Sequence, residues 1–177
     1  IARPFEVWID EWRLAGRWPD LSLRASAPDF AYDLNLTQTG PRVLNGDKGY
    51  SVQSPEGQAS YYYSYPFLSV RGVLRLPEGA VKVTGQAWID REWSSQPLSA
   101  GQSGWDWISL HLADGSKLMG FQTRAAKGGT FTSATWIAPD GTATALQDGQ
   151  LVMTPLDISR VAGRDIPTRW RVQLASR

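Results

Sequence analysis

Three acidic side chains sit among tryptophans in this sequence. Asp90 and Glu92 lie between Trp88 and Trp93, and Asp106 stands between Trp105 and Trp107. On a strand, alternate residues point the same way, so Trp88, Asp90 and Glu92 are expected on one face. A carboxylic acid held among aromatic rings is driven toward its neutral form and can donate a proton. Protonating an alkene gives a carbocation, which indole and phenol rings stabilise through their π faces. Water then captures the cation. The pattern is compatible with hydration chemistry, with Asp90 or Glu92 as the acid and Trp88, Trp93, Trp105 and Trp107 as the wall. Asp106 is a third candidate acid. The competing reading is structural: Arg91 and neighbouring basic groups pair with the carboxylates, and Asp106 faces water or a neighbouring strand's backbone.

Other side chains offer less. Tyr61, Tyr62, Tyr63 and Tyr65 fall in one short run. They read as core packing or as a stacking platform at a pocket mouth, with Tyr61 and Tyr63 as the ligand-binding rings. His111 is the single histidine and shares a strand face with Ser109 and Trp107. Alternate residues on one strand do not normally meet as nucleophile and base, and there is no G-x-S-x-G turn, so a serine hydrolase is not predicted. The absence of cysteine excludes thiolate catalysis, disulfides and zinc–cysteine sites, and one histidine excludes a multi-histidine metal centre. Gly46-Asp47-Lys48-Gly49 and Gly128-Gly129 lack the strand-to-helix setting of a phosphate loop. No metal and no cofactor is expected.

The elements that must position these residues are strands. The chain has 177 residues, which suggests one domain or two small ones. Phe5–Trp12 alternates as one half-buried strand, and residues 21–25 and 30–37 alternate too. Residues 38–60, with Gly40, Pro41, Gly46, Gly49, Pro55 and Gly57, read as a long loop. Strands are expected from Tyr61 to Leu76 and from Val81 to Trp93, with Pro77-Glu78-Gly79 as the turn. Residues 94–104 read as a linker. Trp105–Leu112 follows, then the Asp114-Gly115 hairpin turn, residues 117–124 and 130–137, a short strand after Asp140-Gly141, and Trp170–Leu174. No stretch shows helical periodicity. The reading is an antiparallel all-β barrel or sandwich. Trp8-Ile9-Asp10-Glu11-Trp12 echoes Trp88–Trp93 and raises the question of a repeat.

Composition narrows the partners. Net charge is +1, so there is no electrostatic case for nucleic acid or an anionic membrane surface. No apolar run is long enough for a transmembrane helix. Nine tryptophans, six tyrosines and five phenylalanines can fill a core, line a pocket or stack on sugars. The first residue is Ile1, with no signal peptide in view, as expected after processing or for a piece of a longer polypeptide.

Four segments together resemble one family. They are Asn45-Gly46-Asp47-Lys48-Gly49-Tyr50-Ser51, Ala59-Ser60-Tyr61-Tyr62-Tyr63-Ser64-Tyr65-Pro66, residues 83–93 (Val-Thr-Gly-Gln-Ala-Trp-Ile-Asp-Arg-Glu-Trp), and Gly104-Trp105-Asp106-Trp107-Ile108-Ser109-Leu110. Their order and spacing resemble the AttH-like, carotenoid 1,2-hydratase-like (hydroxyneurosporene synthase-like) lipocalin family from about Arg3 to Leu174. The resemblance implies two lipocalin-like (calycin) β-barrels in tandem. It implies a family whose activities include hydration of carotenoid double bonds and pericyclic cyclisation, with bacterial members labelled as secreted hydrolases or linked to lipid metabolism. The family pattern commonly carries Gln where this chain has His111, which argues against a required histidine. The family's usual length is about twice that of this chain, and its Glu-Trp-Trp-Tyr-rich opening segment is absent. The expectation is therefore a partial or shortened member. Residues 1–96 would be the later strands of a first barrel and 97–177 the early strands of a second, with a single closed barrel or sandwich as the alternative.

The functional expectation is a protein binding a hydrophobic small molecule (lipid, polyene or isoprenoid, or polyketide). If it is an enzyme, it hydrates or cyclises that molecule by proton transfer in an aromatic-lined pocket. The alternatives are a non-catalytic lipid carrier and a carbohydrate-binding β-sandwich. The expected partners are the ligand and either the remainder of a two-barrel protein or a second copy. The resemblance implies a periplasmic or secreted location.

Overall fold

The computed structural model describes residues 4–96 and 101–175. Among these residues every regular element is a strand and every pairing with a stated register is antiparallel, as the alternation predicts. The chain forms two compact units, one of Ile1–Arg42 with Ser64–Asp90, the other of Val43–Tyr63 with Arg91–Arg177. The expected join between residues 96 and 97 falls at the edge of residues 97–100, which lie outside the described residues.

The first unit is a meander. Strands β1 (Phe5–Ile9), β2 (Trp12–Arg17), β3 (Asp20–Ala27) and β4 (Phe30–Gln38) pair in sequence. β4 then pairs with the later part of β7 (Ala59–Leu76), and β7 with β8 (Gly79–Trp93). The core is Leu21, Leu36 and Leu68, with Leu14, Val70, Ala87 and Ile89 packed around them. Trp18 stacks on Tyr65 with ring centroids 3.9 Å apart. The second unit contains the short β5 (Val43–Leu44) and β6 (Tyr50–Val52) with the beginning of β7. It also holds a four-stranded sheet in the order β12–β11–β10–β9. Those strands are β9 (Gln102–His111), β10 (Lys117–Ala125), β11 (Thr130–Ile137) and β12 (Ala143–Leu146). A long hairpin of β13 (Leu151–Val161) and β14 (Arg164–Leu174) completes it. Leu118, Ala134, Leu146, Leu151 and Met153 form this unit's core.

Four expectations are corrected. The single strand read over Phe5–Trp12 is two strands, because Asp10 takes a left-handed conformation (φ +50°) and turns the chain. Nor is the first of them half-buried: β1 is outermost in its sheet, and Val7, Trp8 and Ile9 are all exposed. The echo between residues 8–12 and 88–93, too short to establish a repeat, is not structural either, since one is a hairpin turn and the other continuous strand. The loop read over residues 38–60 contains β5, β6 and the bridge Asp47–Tyr50. Finally, the predicted last strand is the end of an eleven-residue β14, paired with a β13 that the sequence reading omitted. Pro155 disguised β13; it sits beside a register shift, where a strand tolerates the missing N–H.

Candidate functional site

β9 separates the chemistry of the second unit onto two faces. Opposite it, β10 sets the register: Trp105 faces Thr123 and Trp107 faces Phe121, while Asp106 faces Gln122 and Gly104 faces Arg124. The Asp114-Gly115 turn, with Gly115 at φ +88°, fixes this register as the sequence predicts.

On the tryptophan face lies a cavity of about 320 Å³ lined by Trp93, Trp105, Trp107, Tyr62, Phe121, Gln53, Ser60, Glu92, Ser94, Gln96 and Thr123. Its walls are tied together across long sequence separations. Trp107 Nε1 donates to the Tyr62 hydroxyl at 3.0 Å. Thr123 Oγ1 donates to the Gln53 carbonyl at 3.2 Å. Asn45 N donates to the Tyr62 carbonyl and Tyr62 N to that of Gly49, which seats the segment from Asn45 to Gly49 against β7. Glu92 is the one acid of this lining. Its Oε1 accepts from Ser60 Oγ at 2.5 Å and from the Gln53 side-chain amide. Both of these donors are neutral, an amide and a hydroxyl. Trp93 continues the aromatic surface outward: Tyr61 stacks on it (5.9 Å, 28°) and Tyr63 meets it edge-on (5.9 Å, 82°).

On the opposite face lies a larger cavity of about 680 Å³ whose lining includes Asp106, Gln122 and Arg124. Asp106 forms an ion pair with Arg124 and accepts from Gln122 Nε2 at 3.0 Å. This corrects both structural options read for Asp106: it bonds the side chains of the neighbouring strand, Arg124 and Gln122, rather than water or that strand's backbone.

Asp90 and Trp88 belong to the first unit. Asp90 Oδ1 accepts from the buried Ser64 Oγ at 2.5 Å and from Trp88 Nε1 at 2.8 Å. The shared strand face of Trp88 and Asp90 is thus realised. Of the candidate residues, Glu92, Trp93, Trp105 and Trp107 line one cavity and Asp106 lines another. Tyr61 and Tyr63 do not line the first cavity; they pack against Trp93, which does. His111 Nδ1 lies 3.0 Å from Nζ of its cross-strand neighbour Lys117. Burial, and then the Lys117 charge, hold the imidazole below its ordinary pKa. Among the described residues no cluster of His, Asp and Glu could hold a metal ion. Among the described residues no helix is long and apolar enough to cross a membrane.

Sequence reasoning missed Gln53, Ser60, Tyr62, Phe121 and Thr123 on the tryptophan side and Arg124 and Gln122 on the other. One signal was available. Ser60, Tyr62 and Ser64 alternate with Tyr61, Tyr63 and Tyr65 along β7, and the first set supplies the inward groups.

Comparison with known proteins agrees with this architecture. The profile of the AttH-like family matches residues 1–177. The crystal structure of a putative AttH from Nitrosomonas europaea is 36% identical with a TM-score of 0.88; the match covers 96% of this chain and 54% of that one. Kievitone hydratase from Nectria haematococca is 19% identical, covers 89% of this chain and 49% of its own, and has a TM-score of 0.71. At that identity it shows the fold alone. This chain therefore spans about half the length of both structures. No curated protein matches the sequence. The fold is the lipocalin-like all-β architecture of these structures. The chain belongs to the AttH-like family.

Proposed function

We propose that this chain binds an apolar, unsaturated small molecule against the tryptophan face of β9 and hydrates it. The observation that carries the reading is the meeting of Trp93, Trp105 and Trp107 around a single acid, Glu92, which is held by neutral donors. In the neutral form Glu92 gives its proton to one alkene carbon. The adjacent carbon becomes cationic over the indole faces. Water adds to that carbon, and the proton it sheds returns to the carboxylate. Gln53 and Ser60 orient the carboxyl group. Asp90, with Trp88 beside it, lies in the first unit and does not line this cavity. Asp106, committed to Arg124, is not assigned this role. Kinship in fold with a hydratase supports the reaction class.

The relatives are about twice as long. We therefore place residues 1–96 in the later strands of one barrel and 97–177 in the early strands of a second. The rest of a two-barrel protein or a second copy then acts as partner, in the periplasm or outside the cell.

The test uses β-farnesene, a hydrocarbon polyene without a polar head. It should quench tryptophan fluorescence saturably, and a Trp105→Ala/Trp107→Ala variant should lose that response. In isotopically labelled water the protein should form a tertiary alcohol carrying the label, and Glu92→Gln should not. Binding with unchanged turnover in Glu92→Gln would remove Glu92 as the acid. Binding with no turnover at all would leave a carrier. No binding would end the reading.

A further inference from the structure

We infer that the second unit has another ligand site, on the Asp106 face of β9, and that it takes an uncharged amphiphile: one alkyl or isoprenoid tail with a hydroxyl or amide head. The inference does not rest on the hydration reading, because the two cavities lie on opposite faces of the strand.

The cavity holds about 680 Å³, within the range of roughly 300–1,000 Å³ usual for small-molecule sites. Its floor and wall are apolar, from Leu151 and Met153 of the core and Trp170 of β14. Ile158 lines it while remaining 64% exposed, so an apolar rim faces water inside a concave surface. An alkyl chain lying there removes that area from water.

The polar end selects the head. Asp106 is 15% exposed at its side chain, and its two oxygens are taken by Arg124 and by Gln122, itself only 5% exposed. The pair is electrically closed. Gly104 favours it: its backbone stands at φ +146°, and a Cβ there would lie 2.7 Å from Arg124 Nη2 and push the guanidinium aside. A guanidinium has five N–H donors, and those not given to Asp106 can bond a neutral oxygen. A carboxylate head would add an uncompensated charge to a closed pair. It would also meet Asp148, whose Oδ1 already accepts from Thr132 N at 2.7 Å and Thr132 Oγ1 at 3.2 Å. Removing a charged head from water without a counter-charge is unfavourable. A neutral head avoids that cost, and it also avoids setting an ammonium against the Arg124 guanidinium, the cation that shares this lining with Asp148 and Asp165.

The experiment compares three probes of equal chain length: decan-1-ol, decanoate and decylammonium. They are titrated at near-neutral pH into fluorotryptophan-labelled protein and followed by fluorine NMR, with Trp170 identified through Trp170→Phe. Decanol should move the Trp170 resonance saturably, leave Trp105 and Trp107 in place, and bind at least about tenfold more tightly than either ion. Asp106→Asn opens the pair and leaves Arg124 uncompensated, so decanoate should overtake decanol. If that variant does not fold, Arg124→Gln tests the opposite sign, with decylammonium gaining instead. Failure of decanol to move Trp170, an ion binding as tightly as decanol, or an unchanged preference in the variant that folds would overturn the inference. Movement of Trp105 and Trp107 alone would also overturn it, while leaving the Glu92 cavity its ligand.

Discussion

The two faces of β9 place the same functional group in contrasting settings. On one face Glu92 is held by an amide and a hydroxyl, among indole rings that are largely exposed: Trp105 at 59% and Trp107 at 42%. On the other, Asp106 is matched by a guanidinium above a floor that belongs to the hydrophobic core. A carboxyl group with neutral partners can change its protonation state without stranding a neighbour. One paired with arginine cannot, because its loss of charge leaves a cation unpartnered. The partner, more than the acid itself, decides whether a carboxylate in an aromatic-rich protein is reactive or architectural.

The contrast can be broken most severely at the floor. Leu151 is 1% exposed and packs in the core, so Leu151→Ala should cost about 2–5 kcal/mol in urea unfolding. Trp105→Ala, on the exposed wall, should cost less than about 1 kcal/mol. Equal costs would mean that the tryptophan wall is core as well. The carboxylates themselves come next. Asp106→Asn should destabilise by about 1–2 kcal/mol, a figure reduced from that of a fully buried pair because Arg124 is 42% exposed at its side chain. Glu92→Gln keeps an acceptor for Gln53 and Ser60 and should stay within about 0.5 kcal/mol. Reversal of that order would undo the contrast. Gly104→Ala should cost about 1 kcal/mol through its backbone conformation and displace Arg124, raising the mobility of the guanidinium in nitrogen NMR. The smallest effect concerns His111. Its lowered proton affinity means that the unfolded chain is protonated near the ordinary pKa of 6.5, while the folded chain resists. Stability should therefore fall as pH drops below 6.5 toward the lowered folded value. His111→Gln should flatten that slope in thermal melts taken from neutral pH to about pH 5.

Much of this arrangement was legible from alternation alone. Period-two patterning placed β9 and β10, their turn, and the division of Trp105 and Trp107 from Asp106. It also paired Trp88 with Asp90. It failed where a strand was too short to show a period, as in β5 and β6, or contained proline, as in β13. It failed at Asp10, because a left-handed turn residue does not interrupt a hydrophobic rhythm. The groups that give each carboxylate its character were less visible still. Gln53 and Ser60 reach Glu92 across 39 and 32 residues, and Tyr62 reaches Trp107 across 45. Nothing in local spacing encodes such meetings. Arg124 escaped notice because its relation to Asp106 depends on the register of a hairpin and on the missing side chain of Gly104.

The alternation of β9 also limits how such a protein can diverge. Gaining or losing one residue within the strand would rotate every side chain beyond it to the other face. Trp105 and Trp107 would turn toward the core, and Asp106 would turn among aromatic rings without its arginine. Both cavities would be lost in one event. Relatives that keep either site must therefore vary this strand by substitution at constant length, and insertions should collect in the turns at its ends. Strand length here is inherited jointly by two binding surfaces.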